Sequence, residues 1–203
     1  MIVILTGDII NSRKATSKKW MEDLKSIFQT IGKSPNDWEI YRGDEFQLEI
    51  KKIEDALLIA FQIKAFFKSI NLDVRMSLGF GDKTHKTRKI TESNGSAFIR
   101  SGETFETLKK QKLNLAVNSG NTTFDEDLNL MLKLSLSFMD NWLQQSAEFV
   151  VVAIQNPTFS QEEIGVKLGI NQAAVSRRQK RANYELVKEL DLYFRQKIKT
   201  LSV

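Results

Sequence analysis

The sequence predicts an α+β fold in which a sheet-forming unit, residues 1–119, precedes an all-helical segment, residues 120–203. Three observations predict it. Short apolar or alternating runs interleave with helical periodicity as far as Val117. The stretch Asn118 to Thr123 then breaks the pattern with Gly and Asn, and beyond it only helical periodicity remains.

Ile2 to Leu5 lacks alternation, as a strand buried on both faces does, and stops at Thr6-Gly7-Asp8. Thr16 or Ser17 can cap a helix whose apolar residues Trp20, Leu24, Ile27, Phe28 and Ile31 share one face, with Gly32 and Pro35 ending it. Glu39 to Tyr41 and Phe46 to Ile50 read as the strands of a hairpin that carries Arg42-Gly43-Asp44 at its tip. Ile53 to Ile70 is a strongly apolar helix, and Val74, Met76 and Leu78 alternate with polar or small residues as in a half-buried strand. Strand, helix, hairpin, helix, strand is a βαββαβ-like layout, ferredoxin-like, with helices over one face of an antiparallel sheet. Lys83 to Lys89 is a basic loop, to be solvated or to meet a triphosphate. Ala97 to Lys110 is a further helix and Asn114 to Val117 a last strand.

Composition narrows the chemistry. The absence of cysteine removes disulfides and thiolate sites, and a single histidine, His85 in a polar loop, leaves no zinc site or histidine triad. Catalysis, if any, rests on carboxylates, hydroxyls and bound metal. With 41% hydrophobic residues but neither an apolar run near membrane-spanning length nor a signal-peptide pattern, a cytoplasmic protein without membrane contact is expected. The net charge of +5 is uneven: residues 160–203 hold nine Lys/Arg against five Asp/Glu. Such an excess suits a phosphate-facing module, or simply solvates a helix.

Asp125 to Met139 and Asn141 to Ile154 read as helices that pack together, closed by Asn156-Pro157. Ser160 with Glu163 forms a capping box for the next helix. Ile164, Leu168, Ile170 and Val175 are spaced as the core of two short helices meeting at a tight turn. Gly165 permits close approach, Gly169 suits the left-handed turn, and Asn171 caps the second helix. This stretch resembles the trihelical helix-turn-helix domains of bacterial regulators, with Asn141 to Gln155 as support, Ser160 to Leu168 second and Asn171 to Tyr184 for recognition. The resemblance implies double-stranded DNA as partner. Asn171, Gln172, Ala173, Ser176, Arg177, Lys180 and Arg181 would face it, the small polar groups at base edges and the cations, with Arg178, at phosphates. Arg178 stands where an apolar residue is usual. Without DNA, the same pattern is a helical hairpin with a solvated basic face. Tyr184 to Leu201 continues as an amphipathic helix that packs on the body or forms a dimer seam, and a homodimer is expected because two recognition helices meet successive major grooves.

Asp8 closes the first strand and Asp44 tips the hairpin, so in a ferredoxin-like sheet the two carboxylates converge and can hold magnesium. Tyr41-Arg42-Gly43-Asp44-Glu45-Phe46 resembles the hairpin signature of GGDEF diguanylate cyclases, matching four of its five core letters. The order of elements over residues 1–119 is similar to the GGDEF and class III nucleotidyl cyclase palm. Gly7-Asp8-Ile9-Ile10-Asn11-Ser12-Arg13 together with Gly43-Asp44-Glu45-Phe46 resembles the SatD family more closely still. The resemblance implies Asp8, Asp44 and Glu45 as metal ligands for Mg2+, and Ile9, Ile10, Asn11, Arg42 and Gly43 around a nucleoside triphosphate. Singly, each Asp also reads as a turn residue, Asp8 as a partner of Arg13. Departures from the cyclase pattern are Arg42 in place of the first Gly, Ile99 and Glu103 where class III cyclases carry Asn and Arg, and no Arg-x-x-Asp before the hairpin.

The expected function is therefore a DNA-binding transcriptional regulator whose cyclase-like domain senses a nucleotide. The alternatives are a magnesium-dependent nucleotidyl cyclase or transferase targeted to DNA, and a protein-interaction module.

Overall fold

A strand with no exposed residue along its length must sit inside a sheet, and β1 (Ile2–Ile10) does. The computed structural model describes residues 1–12 and 19–201. The expected caps Thr16 and Ser17, and Arg13 as a partner of Asp8, lie outside the described residues. β1 pairs antiparallel with β3 (Glu45–Ile50) on one side and β4 (Asp73–Gly81) on the other. β2 (Trp38–Tyr41) pairs with β3 as the expected hairpin, closed at Tyr41 and Glu45. The sheet is completed by β5 (Leu115–Asn118), parallel to β4, giving the order β2-β3-β1-β4-β5. The fold is thus α+β with a five-stranded mixed sheet.

Side chains alternate across a sheet, so each strand serves two faces. On one face Val3, Leu5 and Ile9 join Leu24 and Phe28 of α1 (Lys19–Gln29) and Phe61 and Phe67 of α2 (Ala56–Ser69) in the main core. Phe46 lies over Gly7, where a Cβ would run into its ring, and its centroid is 5.2 Å from that of Phe28. The opposite face is covered by α3 (Ser96–Gln111): Ile4 packs with Ile90, Ala97 and Phe98 in a second, smaller cluster. This corrects the expectation of helices over one face only, and with it the reading of Val74 to Gly79 as half-buried. A Cβ on Gly79 would collide with the backbone of Ala97 and Ser101. Because Gly79 has none, α3 lies against the strand itself. Ser77 donates to the Ser101 carbonyl at 2.8 Å, and the Ser101 hydroxyl donates to Thr6 at 2.8 Å, so the polar atoms trapped there are satisfied.

Among the described residues, the elements after β5 are all helices: α4 (Thr122–Met139), α5 (Gln144–Gln155), α6 (Gln161–Leu168), α7 (Gln172–Arg181) and α8 (Tyr184–Leu201). The main core runs without a break from the sheet into these helices, through Leu128, Leu132, Phe149 and Phe194. The helix expected from Asn171 to Tyr184 ends earlier, because Asn183 takes a left-handed φ of 51° and separates α7 from α8. α8 buries Val187, Leu190, Phe194 and Ile198 within the chain, and Arg195 reaches Asp55 at 2.7 Å in the turn before α2. Of the two readings of this helix, packing on the body is the one observed. Among the described residues, no helix is long and apolar enough to cross a membrane.

Lys64 of α2 is fully buried, and its ammonium lies 3.0 Å from Asp73 at the start of β4 and 2.5 Å from Asp140 between α4 and α5. Its neighbour Lys68 donates to the Asp140 carbonyl at 2.6 Å. Removing one partner from a buried ion cluster leaves uncompensated charge. Lys64→Ala is expected to lower stability by about 3–5 kcal/mol, read by urea denaturation; a loss no larger than that of a surface lysine would show the cluster to be dispensable.

Candidate functional site

Two groups of residues singled out by sequence come together in the fold. The first is at the end of β1. In register, Asp8 stands opposite Glu45 on β3 and Arg75 on β4, so the three side chains share the face that α3 covers. Arg75 Nη1 lies 3.4 Å from Asp8 Oδ2, while Asp8 Oδ1 and Arg75 Nε are buried with no hydrogen-bond partner among the described residues. Burial pushes the Asp8 carboxyl above the ordinary 3.8; Arg75 and Lys109 pull it down, Asp44 and Glu45 push it up, and the net direction is upward. Asp44 is held against β1 at both ends. Its carbonyl accepts from the Ile9 amide at 3.0 Å, and its Oδ2 accepts from the Ser12 hydroxyl at 2.9 Å. The tip is a three-residue turn with Arg42 and Gly43 both left-handed, φ 52° and 87°, which brings Asp44 back toward β1.

The fold thus assembles Asp8, Asp44 and Glu45 at one end of the sheet. It treats the other expected residues differently. Ile9 has its side chain in the core, and its amide is occupied by Asp44. Ile10 is half-buried and pairs with Asp73. Asn11, at φ 62°, Arg42 and Gly43 are exposed around the turn, and Arg42 lies 3.7 Å from Glu45. A magnesium ion fits this donor set poorly. A cation on Asp8 would stand beside the Arg75 guanidinium, Asp44 Oδ2 is already engaged, and among the described residues no group of three or more carboxylates or histidines is arranged for a metal. Sequence reasoning passed over Arg75; its polarity within an alternating strand was the available signal, but only strand register reveals what it faces. Lys83 of the basic loop forms a buried ion pair with Glu49 at 2.6 Å, whereas Lys86 and Arg88 are exposed.

The second group lies on α7. The capping box expected at α6 is present: Glu163 N–H donates to Ser160 Oγ at 3.2 Å, and the Ser160 amide to Glu163 at 2.7 Å. Gly169 ends α6 at φ 66°, and the Asn171 side chain accepts from the Ala174 amide at 2.9 Å to start α7. Between them the Ile170 carbonyl passes so close to Gly165 that a Cβ there would lie 2.7 Å from it. Ile164 and Val175 are buried at the junction, with Leu168 and Ile170 packed against them. This turns one side of α7 inward and leaves Asn171, Gln172, Ala173, Ser176, Arg177, Lys180 and Arg181 exposed together. Among the described residues, no carboxylate pairs with Arg177, Lys180 or Arg181. Arg178 departs from the expectation that it joins these cations. It points to α5, pairing with Glu148 at 3.0 Å and donating to the Gln145 carbonyl at 3.3 Å. An ion pair thus stands where an apolar contact was expected. Gln172 is also tied inward, donating to Gln161 at 2.5 Å.

A carboxyl group whose folded pKa is raised contributes stability below its ordinary pKa and loses that contribution as pH rises through the folded value. Ionised Asp8 therefore opposes folding at neutral pH. Asp8→Asn is expected to raise the melting temperature at pH 7, with the advantage closing as pH falls through the raised folded value and gone below 3.8; an equal effect at pH 7 and below 3.8 would refute it. No curated protein and no solved structure matches the chain. The family model that does match spans residues 2–202, including both the β1 end and α7, and by that match the chain belongs to the SatD family.

Proposed function

We propose that the protein is a DNA-binding transcriptional regulator that places α7 in the major groove, as the recognition helix of a helix-turn-helix. The observation that carries the reading is the exposed surface of α7: small and polar at its N-terminal turn, with three unpaired cations beyond. Asn171, Gln172, Ala173 and Ser176 are of a size to approach base edges, and Arg177, Lys180 and Arg181 are positioned to neutralise phosphates on either side. The glycine-tight junction with α6 supports the reading, since it fixes α7 with its polar side exposed. Binding as a homodimer, on two half-sites, follows from the weak hold of a single such helix.

Each phosphate contact releases counterions, so its loss lowers the dependence of affinity on salt. Replacing Arg177, Lys180 or Arg181 by Ala is expected to reduce the log–log salt slope by about 0.9 each, measured by fluorescence anisotropy on genomic fragments. Arg178→Met, which removes a cation facing α5, leaves the slope unchanged. Ser176→Ala relaxes sequence preference by about 1–3 kcal/mol at one base pair. No salt-sensitive binding by the wild type, or equal slopes throughout the series, sinks the reading.

A nucleotide-sensing role for the sheet end, as in a cyclase-like palm that has lost turnover, is favoured by Asp8 Oδ1, a buried acceptor with no partner among the described residues, which a ligand hydroxyl or amino group would satisfy. The antiparallel order β2-β3-β1-β4 is compatible with a palm. The test is the same titration with a nucleoside-triphosphate mixture and magnesium, assaying the nucleotides afterwards. An unconsumed nucleotide that shifts DNA affinity, with the shift abolished in Asp8→Asn, is the expected result; magnesium-dependent turnover would instead favour a nucleotidyl transferase.

A further inference from the structure

Residues of α5, α6 and α8, with Leu58 of α2 and Gln179 of α7, line a cavity of about 500 Å³ that opens to solvent. Its volume is in the range of small-molecule sites. The lining is mostly apolar, with Phe149, Ile164, Val187 and the exposed Leu192, and its polar part includes Ser160, Gln161 and Lys188. Asp191 also lines the cavity, and its side chain is only 10% exposed. One of its oxygens, Oδ2, accepts from Arg195 at 2.6 Å, while Oδ1 has no hydrogen-bond partner among the described residues. The guanidinium that should neutralise it is shared, because Arg195 also binds Asp55 at 2.7 Å. Asp55 has a second partner in Lys52 at 3.0 Å, whereas Asp191 has Arg195 alone among the described residues. Burial raises the Asp191 carboxyl above its ordinary pKa in spite of Arg195, as an under-compensated buried acid should. Lys188 at the rim does not offset this, since it is paired with Glu185 at 2.7 Å.

A mostly apolar pocket lined by a carboxylate with one unpartnered oxygen selects against anions and favours a cation with an apolar body. We propose that the cavity is a binding site for an organic amine, a compact aromatic or aliphatic body whose protonated nitrogen donates to Asp191 Oδ1. The site also touches the support of α7. Gln161 lines the cavity, donates to Gln179 at 2.8 Å and accepts from Gln172 at 2.5 Å, and both partners are on α7. A ligand that moves Gln161 disturbs both bonds, so amine binding alters the presentation of α7. The coupling rests on the DNA-binding reading; the amine site does not.

The probes are 1-naphthylmethylammonium, neutral 1-naphthalenemethanol and anionic 1-naphthoate, titrated into the full chain by calorimetry. The amine is expected to bind about tenfold more tightly than the alcohol, with no binding of the naphthoate. Asp191→Asn removes the preference for the amine. Leu192→Trp, which crowds the cavity without touching the Asp191–Arg195 pair, weakens amine and alcohol alike and decides the matter if Asp191→Asn fails to fold. Equal affinity for all three probes, or amine binding unchanged in the variants, overturns the proposal. Amine binding by a protein that shows no salt-sensitive DNA binding would leave the site standing and remove the coupling. DNA binding without amine binding would remove both the site and the coupling and leave the DNA-binding reading standing.

Discussion

The buried ammonium of Lys64 joins the two parts of the molecule. It lies between Asp73, which begins β4, and Asp140, which ends α4, so one charge fixes the sheet and the helical segment to each other. A lysine with no exposed surface is stable only when its charge is met on the spot, and here it is met by carboxylates from two different elements. Lys68 adds a bond to the Asp140 backbone, and Asn71 reaches Gln144 at the start of α5 at 3.1 Å. The position of α5, and hence of α6 and α7 packed upon it, follows from this anchor.

On the other side of the sheet the governing constraint is steric. Gly79 removes the side chain that would hold α3 away, and the serines at 77 and 101 satisfy each other's polar groups in the gap. With α3 so close, the face bearing Asp8 becomes half-buried. The carboxylate cannot be fully solvated, its one guanidinium partner lies at a long 3.4 Å, and a lone oxygen is left over. Stability would favour a neutral residue there.

The same imbalance recurs at Asp191, where burial, a shared arginine and a free oxygen coincide in an apolar cavity. Both places have one feature in common, an acid whose charge the fold leaves partly unmet. At Asp191 the hydrogen-bonded Gln161, Gln172 and Gln179 connect the cavity wall to the exposed cationic surface of α7.

What the sequence determined by itself was local. The capping box at Ser160 and Glu163, the left-handed turn at Gly169, the Asn171 cap and the hairpin at Asp44 each depend on residues within a few positions of one another, and each stands where the pattern placed it. The family was legible too, because its motifs are contiguous. Element order alone also put β1 beside β3, and so Asp8 near Asp44. The tertiary structure decided the rest. That α3 covers the second face depends on the fit of Gly79 against Ala97 and Ser101, more than twenty positions apart for the latter, which no periodicity encodes. That Arg75 faces Asp8 depends on register, and that Arg178 turns to Glu148 and away from solvent depends on which helix lies behind it. Local rules fix conformation because their partners are near in the chain; charge compensation and cavities are set by distant partners, and only packing chooses those.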